Sequence, residues 1–172
     1  MVIEGKRVSL SPMAERDLEA VVQWRNQVRD KFIYRELFTV QSQTKWLREV
    51  VQKGKAVQYI IHEKTGNGIG SVFLKDIDKK NKKAEYGIFI GEKGAQGKGY
   101  GTEAAKLMIQ YGFKELDLHK IILRVFAFNK IAIKSYEKAG FIQEGYLKDE
   151  VCIDDNYYDI VLMGIIRGEN NE

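Results

Sequence analysis

The stretch Gln96-Gly97-Lys98-Gly99-Tyr100-Gly101 decides which fold this sequence can adopt. It follows an apolar run, Tyr86 to Ile90, that is typical of a buried strand, and it precedes a helical pattern from Thr102 to Leu116. Glycines let the backbone approach a ligand closely, and the first turn of a helix offers N–H groups that have no intrahelical partner. The helix dipole also favours an anion there. A strand, a glycine-rich turn and a helix N-terminus in this order therefore predict a site for phosphate or pyrophosphate.

Three ligands fit such a turn: a nucleotide in a P-loop, a dinucleotide, or coenzyme A. A P-loop requires Ser or Thr after its lysine, but Lys98 is followed by Gly99, so the hydroxyl that would bind Mg²⁺ is missing. The segment from Gly99 to Ala104 fits G-x-G-x-x-A, but a dinucleotide fold also needs a carboxylate after the next strand. The next predicted strand, Ile121 to Phe126, continues into three residues without one. A glycine-rich surface loop with no ligand is the remaining interpretation.

Composition predicts one soluble domain. The chain has 172 residues, of which 44% are hydrophobic and 30% charged, and this is enough for a sizeable core. We expect a single domain over residues 1–167 and a short tail over residues 168–172. The formal net charge of +4 is mild, and no run of Lys and Arg is dense enough for a nucleic-acid-binding arm, so no nucleic-acid partner is expected.

The single cysteine and the N-terminal segment predict a cytoplasmic location. Cys152 has no partner for an internal disulfide, which suits a reducing compartment. The first ten residues, MVIEGKRVSL, lack a long apolar run, so neither a signal peptide nor a membrane span is expected. The two histidines lack partners at metal-ligand spacing, and no metal is expected.

Hydrophobic periodicity predicts the order β, α, α, β, β, β, α, β, α, β, β, which is an α/β chain with a mixed, largely antiparallel sheet flanked by helices. In that order, the predicted elements cover Arg7–Leu10, Glu15–Asn26, Val40–Val51, Val57–His62, Ile69–Ile77, Ala84–Ile90, Thr102–Leu116, Lys120–Phe126, Ile131–Ala139, Phe141–Val151 and Tyr157–Ile166. Asn129 is the expected N-cap of the short helix, and Gly140 is its expected C-terminal stop.

Two motifs in the second half of the chain resemble the GNAT family of acyl-CoA-dependent N-acetyltransferases. The first is the Q-x-x-G-x-G loop, present as Gln96 to Gly101. The second is the run from Asn129 to Phe141, NKIAIKSYEKAGF. The resemblance implies a single-domain GNAT fold, acetyl-CoA as the cosubstrate, and direct transfer of an acetyl group to a primary amine. The coenzyme-binding residues that it implies are Ile88, Phe89 and Ile90 along the pantetheine arm, Gln96, Gly97, Lys98, Gly99, Tyr100, Gly101 and Thr102 at the pyrophosphate, and Asn129 beside the arm.

The resemblance also implies catalytic and substrate-binding residues. Tyr136 occupies the position of the family's general acid, which protonates the departing thiolate, whereas the alternative is an aromatic residue of the core. Glu85 is a candidate base acting through water, and a surface glutamate paired with a lysine is an equally good interpretation. Alternation along the strand would place its side chain opposite that of Tyr86. Glu36 is a second candidate base, or a residue that binds a cationic substrate.

The sequence predicts the amine that accepts the acetyl group less narrowly than it predicts the coenzyme. The segments from Ala84 to Tyr86 and from Glu144 to Lys148 are similar to bacterial spermidine/spermine N-acetyltransferases, which makes a small-molecule amine such as a polyamine the expected substrate. Trp24-Arg25-Asn26 resembles nucleotide-aminosugar N-acetyltransferases, and ribosomal-protein N-terminal acetyltransferases share the same frame. A coenzyme-binding protein without turnover is the alternative of a different class. A homodimer is common in the family, and Tyr157, Tyr158 and Ile160 of the last hairpin are the residues expected to support it.

Overall fold

The computed structural model describes residues 1–169 and contains one eight-stranded sheet with helices on both faces. The strands are β1 (Ile3–Glu4), β2 (Val8–Pro12), β3 (Val57–Glu63), β4 (Gly68–Asp78), β5 (Lys83–Ile90), β6 (Lys120–Phe126), β7 (Ile142–Ile153) and β8 (Asn156–Ile166). The helices are α1 (Leu18–Gln27), α2 (Val40–Trp46), α3 (Tyr100–Lys114) and α4 (Lys130–Ala139). Short 3-10 turns cover Glu15–Asp17, Arg29–Lys31 and Lys93–Ala95, and a π-helical turn, Leu47–Val51, extends α2.

The strand order is β1-β2-β3-β4-β5-β6-β8-β7, and only the pair β5–β6 is parallel. The predicted α/β class and the mixed, largely antiparallel sheet are thus confirmed. Strands β3, β4 and β5 pair antiparallel in succession and form a meander. No helix within residues 1–169 is long and apolar enough to cross a membrane.

Two apolar layers hold the helices against the sheet. One face packs against α3, where Ala104 and Met108 are fully buried beside Ile121 of β6. The opposite face packs against α1, where Trp24 lies beside Phe89 of β5. Because successive strand residues point to opposite faces, β5 presents its even-numbered residues to α3 and its odd-numbered residues to α1.

Several predicted boundaries differ from the structure. β1 was not predicted, because a strand of two residues carries no periodicity. Helix α3 begins at Tyr100 rather than Thr102, since Gly99 serves as its N-cap with a left-handed φ of 80°. Of the residues expected to support a dimer, Ile160 is buried in the core, which excludes it from any surface. The predicted tail begins with a turn at residues 168–169, and residues 170–172 lie outside the described part of the chain.

Candidate active site

A split in the sheet forms the centre of the site. The parallel pair β5–β6 is in register only from Lys83↔Lys120 to Glu85↔Ile122, and beyond these positions the two strands have no ladder between them. Residues 86–90 of β5 therefore present an unpaired edge, along which alternate residues direct N–H and C=O groups into the gap. The predicted pantetheine-binding residues, Ile88 to Ile90, all lie on this edge.

The glycine-rich loop lies where β5 leaves the sheet. Gly97 and Gly99 have φ angles of 73° and 80°, in the left-handed region that glycine enters without strain. The side chain of Gln96 donates a hydrogen bond of 3.0 Å to the carbonyl of Ile90, which fixes the loop to the end of the strand. The free N–H groups of the first turn of α3 follow directly, so the loop has the construction of an anion site.

Arg7, the residue before β2, binds this loop through hydrogen bonds. The sequence did not indicate this role. The guanidinium of Arg7 donates hydrogen bonds to the carbonyls of Lys98 at 2.8 Å and Gly99 at 3.3 Å. It also pairs with Glu103 of α3, with Nε 3.0 Å from Oε2. Arg7 thus holds two carbonyl oxygens of the loop in hydrogen bonds to its guanidinium.

The carboxylate of Glu103 is stabilised in its charged form. Partial burial raises its pKa, but hydrogen bonds from the backbone and side chain of Arg7, and from the neighbouring N–H groups of Val8 and Lys6, outweigh this effect. The net result is a pKa below the ordinary value.

Tyr136 of α4 lies at the closed end of the split, on the face that α3 covers. Its ring centroid is 6.0 Å from that of Tyr86, the first residue of the unpaired edge, and 6.1 Å from that of Phe141. Burial raises the pKa of the half-buried Tyr136 to about 12, so its hydroxyl is protonated at neutral pH. Its hydroxyl makes no hydrogen bond within residues 1–169, and the group is thus a proton donor without a protein acceptor.

The hydroxyl of Tyr86 is the second tyrosine hydroxyl in this region, beside that of Tyr136. The sequence did not indicate a role for it. The side chain of Tyr86 is fully buried, burial raises its pKa well above 10, and its oxygen has no hydrogen-bond partner among the described residues. Buried polar atoms are nearly always hydrogen-bonded, so this oxygen is an exception within the site.

The N-cap of α4 and one contact with α3 position this helix. Asn129 caps α4 as predicted, since its Oδ1 accepts a hydrogen bond of 3.2 Å from the N–H of Ala132. The hydroxyls of Thr102 and Ser135 lie 2.9 Å apart and connect the first turn of α3 to the middle of α4. Ser135 was not predicted to contribute.

On the opposite face of the sheet, Glu85 belongs to a group of four side chains that we call the Glu85 cluster: Tyr34, Lys75, Glu85 and Arg124. The Oε1 atom of Glu85 lies 3.7 Å from Lys75 Nζ and 3.5 Å from Arg124 Nη2. Arg124 also donates a hydrogen bond of 3.2 Å to Tyr34 Oη. This hydrogen bond, and then the charge of Glu85, raise the pKa of Arg124 above its ordinary value.

The ion pair with Lys75 agrees with the second interpretation of Glu85 given by the sequence, and the role of Glu85 as a base stays a prediction. Its side chain lies on the face opposite to Tyr86, as alternation predicted. Arg124 was not predicted to contribute. The sequence does mark it, since a charged residue stands there between the buried Leu123 and Val125 of β6.

Glu36 is exposed in the irregular segment between α1 and α2, two residues after Tyr34. Arg25 supports this segment. Its guanidinium lies 3.9 Å from the ring centroid of Phe32 and donates a hydrogen bond of 2.7 Å to the carbonyl of Tyr34. Burial lowers the pKa of Arg25 to about 10, and the nearby charge of Glu36 opposes the shift. Arg25 remains charged at neutral pH and fixes the segment that carries Tyr34.

Comparison with known proteins identifies the family to which the chain is similar. The family model described as "Acetyltransferase (GNAT) domain" matches residues 7–142. Spermidine N(1)-acetyltransferase of Escherichia coli K12 is 32% identical over 161 residues, which cover 93% of this chain and 86% of that protein. The enzyme of the same name from Vibrio cholerae is 34% identical over 112 residues, which cover 65% of this chain and 64% of that protein.

Solved structures give the same result. The spermidine N-acetyltransferase of Vibrio cholerae in complex with CoA and spermine superposes with a TM-score of 0.84 at 26% identity, covering 94% of this chain and 96% of that chain. Another structure of the Vibrio cholerae enzyme, described as dodecameric in an intermediate state, has a TM-score of 0.80 at 26% identity and covers 94% of this chain and 95% of that chain.

Proposed function

This chain belongs to the GNAT acetyltransferase family, and from that premise we propose that it transfers an acetyl group from acetyl-CoA to the primary amine of a small molecule. The observation that carries the proposal is the position of Tyr136 at the closed end of the split, with the glycine-rich loop at the other end of the unpaired β5 edge. An extended ligand with an anionic group at one end and a reactive group at the other fits this arrangement.

The loop and the strand edge supply the proposed binding groups. The N–H groups of residues 96–102 would hold the pyrophosphate, helped by the dipole of α3. The edge at Ile88 to Ile90 would bind the pantetheine arm as an added strand, with Asn129 beside it, because extended amides satisfy unpaired strand groups. Acetyl-CoA supplies the activated acetyl group as a thioester.

Tyr136 and Glu85 are assigned complementary proton transfers. The departing thiolate requires a proton, and Tyr136 is neutral and protonated, so it serves as the general acid. An amine with a pKa near 10 must lose a proton before it attacks. Glu85 lies on the other face of the strand at the same closed end, where it would accept this proton through water. The amine would attack the thioester directly within a ternary complex.

A polyamine acceptor is supported by the two relatives named as spermidine N(1)-acetyltransferases. The test is thiol release from acetyl-CoA with spermidine, an amino-sugar nucleotide and a basic peptide as separate acceptors. We expect release that depends on a single acceptor class. Binding of acetyl-CoA without release for any acceptor would contradict the proposed activity and favour a coenzyme-binding protein.

We also propose that the chain self-associates through its last hairpin. Tyr157 is 64% exposed and Tyr146 is 53% exposed, so both rings are available at the surface of the hairpin. A related enzyme of this fold is dodecameric. Sedimentation of the wild type and of Tyr157→Ser tests the proposal, and a wild-type monomer at micromolar concentration would contradict it.

A further inference from the structure

The Glu85 cluster contains more positive than negative charge. Lys75 and Arg124 both approach the same oxygen of Glu85, so two cations share one carboxylate. Both cations also lie near the ring of Tyr34, with Lys75 Nζ 5.4 Å and Arg124 Cζ 5.8 Å from its centroid. The cluster therefore retains a positive charge that no described side chain balances.

Arg35 adds a third cation to the same face. Its Cζ lies 5.8 Å from the ring centroid of Phe126, which follows Arg124 by two residues on the same face of β6. Nη2 of Arg35 donates to the carbonyl of Asp30, but its Nε is buried and has no hydrogen-bond partner within residues 1–169. A buried donor without a partner is satisfied when a ligand supplies an acceptor. The neighbouring Glu36 is exposed, and burial lowers the pKa of Arg25 while the charge of Glu36 opposes this larger effect.

A groove of about 290 Å³ adjoins the cluster at Arg124. It is lined by Lys83, Lys120 and Glu144 together with apolar residues of β6 and β8. The carboxylate of Glu144 pairs with Lys120 at 2.8 Å. Lys83 lies near the carboxylate of Asp78, whose pKa is lowered by hydrogen bonds within its own turn and also by the charge of Lys83, so Arg124 is the cation that the groove shares with the Glu85 cluster. The groove thus provides space beside Arg124 for part of a small molecule.

We propose that the acceptor is an amine that also carries an anionic group, a phosphate or a carboxylate, bound by Arg124 and Arg35 while the amine lies at Glu85. The inference rests on the proposed acetyl transfer, since it names the class of acceptor for that site. Arginine binds both anions with paired hydrogen bonds. The phosphates of the coenzyme are not the ligand of these cations, because the loop that would hold them begins beyond Ile90, roughly 17 Å along β5 from Glu85. A polycation would meet like charges at this face. The inference therefore departs from the polyamine acceptor that the names of the two relatives suggest.

The experiment uses matched pairs of amines that differ in the anionic group. Glucosamine is compared with glucosamine 6-phosphate, butylamine with 4-aminobutyrate, and spermidine is added as the polycation. Affinity is measured by titration calorimetry on the protein saturated with CoA, and turnover is measured as thiol release from acetyl-CoA. We expect at least one anionic member to bind about tenfold or more tightly than its partner. The pair that shows the preference distinguishes phosphate from carboxylate.

Variants connect the preference to the named residues. Arg124→Gln should abolish most of the preference for the anionic amine and strengthen the binding of spermidine, and Lys75→Gln should change both in the same direction. Arg16→Gln removes an exposed arginine elsewhere on the surface and should leave the preference unchanged. Equal affinities within both pairs, tighter binding of spermidine than of every anionic amine, or a full preference in Arg124→Gln would overturn the proposal. Loss of thiol release with all acceptors while the binding preference persists would instead overturn the proposed acetyl transfer.

Discussion

Tyr136 combines two properties that a general acid needs: a hydroxyl that stays protonated and a position at the end of the path that we propose for the coenzyme. Replacing Tyr136 with Phe removes the proton donor but keeps the ring contacts with Tyr86 and Phe141. We therefore expect kcat to fall by about 10²–10⁴-fold while the affinity for acetyl-CoA is unchanged. Steady-state kinetics and calorimetry check the two quantities separately. Unchanged kcat would exclude Tyr136 as the acid.

Tyr86 offers a contrasting substitution in the adjacent ring. Its buried hydroxyl lacks a hydrogen-bond partner within residues 1–169, so the folded protein bears the cost of its desolvation. In the ligand-free protein, Tyr86→Phe should leave the free energy of unfolding unchanged from the wild type or raise it by about 1 kcal/mol. Denaturant unfolding measures the change. A loss of more than about 1 kcal/mol would show instead that the hydroxyl is satisfied by ordered water.

The Gln96–Gly101 loop is the element in which we expect backbone conformation to decide the binding of acetyl-CoA. Gly99 has a φ of 80°, and an added Cβ would lie 3.1 Å from Arg7 Nη2. Gly99→Ala should therefore destabilise the loop by about 1–2 kcal/mol and weaken acetyl-CoA binding. Gly94→Ala is the matched control, because Gly94 has no left-handed φ and an added Cβ would contact nothing within 4 Å. Equal affinities of the two variants would contradict the role of the Gly99 conformation.

The ion pair between Arg7, just before β2, and Glu103 of α3 predicts that the stability of the fold depends on pH. The pKa of Glu103 in the folded protein lies below its ordinary value of 4.5, so its charged form contributes stability above that pH. The contribution is lost as the pH falls through the folded-state pKa. Glu103→Gln should lower the free energy of unfolding by about 1–2 kcal/mol at neutral pH. The difference between wild type and variant should shrink below pH 4.5, and a constant difference down to pH 3 would refute this account.

The elements show why some of the site could be predicted from the sequence and some could not. The Gln96–Gly101 loop and the cap at Asn129 are local patterns, since the residues that form them are neighbours in the chain. Arg7 is separated from Lys98 by 91 positions, and nothing near Arg7 in the sequence marks it as a partner of the loop. Its role arises only when β2 and the start of α3 come together.

The Glu85 cluster could not be predicted from the sequence for a related reason. Lys75 and Glu85 face each other because β4 and β5 pair in one particular register, and Arg124 joins them from β6. A register is set by the whole sheet, so a pattern within one strand does not reveal it. The order of the elements, in contrast, follows from local periodicity, and it was predicted correctly except for β1.

At the scale of the whole molecule, acetyl-CoA should stabilise the folded chain because an unfolded chain has no paired loop and strand edge to bind it. At a ligand concentration one hundred times the Kd, the stabilisation is about 2.7 kcal/mol. For a chain of this length, this corresponds to a rise in Tm of roughly 5–10 °C. Differential scanning calorimetry measures the shift. NAD at the same concentration is the control, and an equal rise with NAD would favour the dinucleotide interpretation of the loop.

The split between β5 and β6 has a consequence for how mutational tolerance should be interpreted. The contact that we propose for the β5 edge is made by peptide groups, which every amino acid except proline provides equally. A scan of alanine substitutions through Ile88 and Ile90 would report only how these side chains pack under α3, and the coenzyme contact would be invisible to it. Random variation can therefore change the side chains of this strand widely without erasing the interaction. The part of the site that is least dependent on residue identity is also the part that a list of functional residues describes least well.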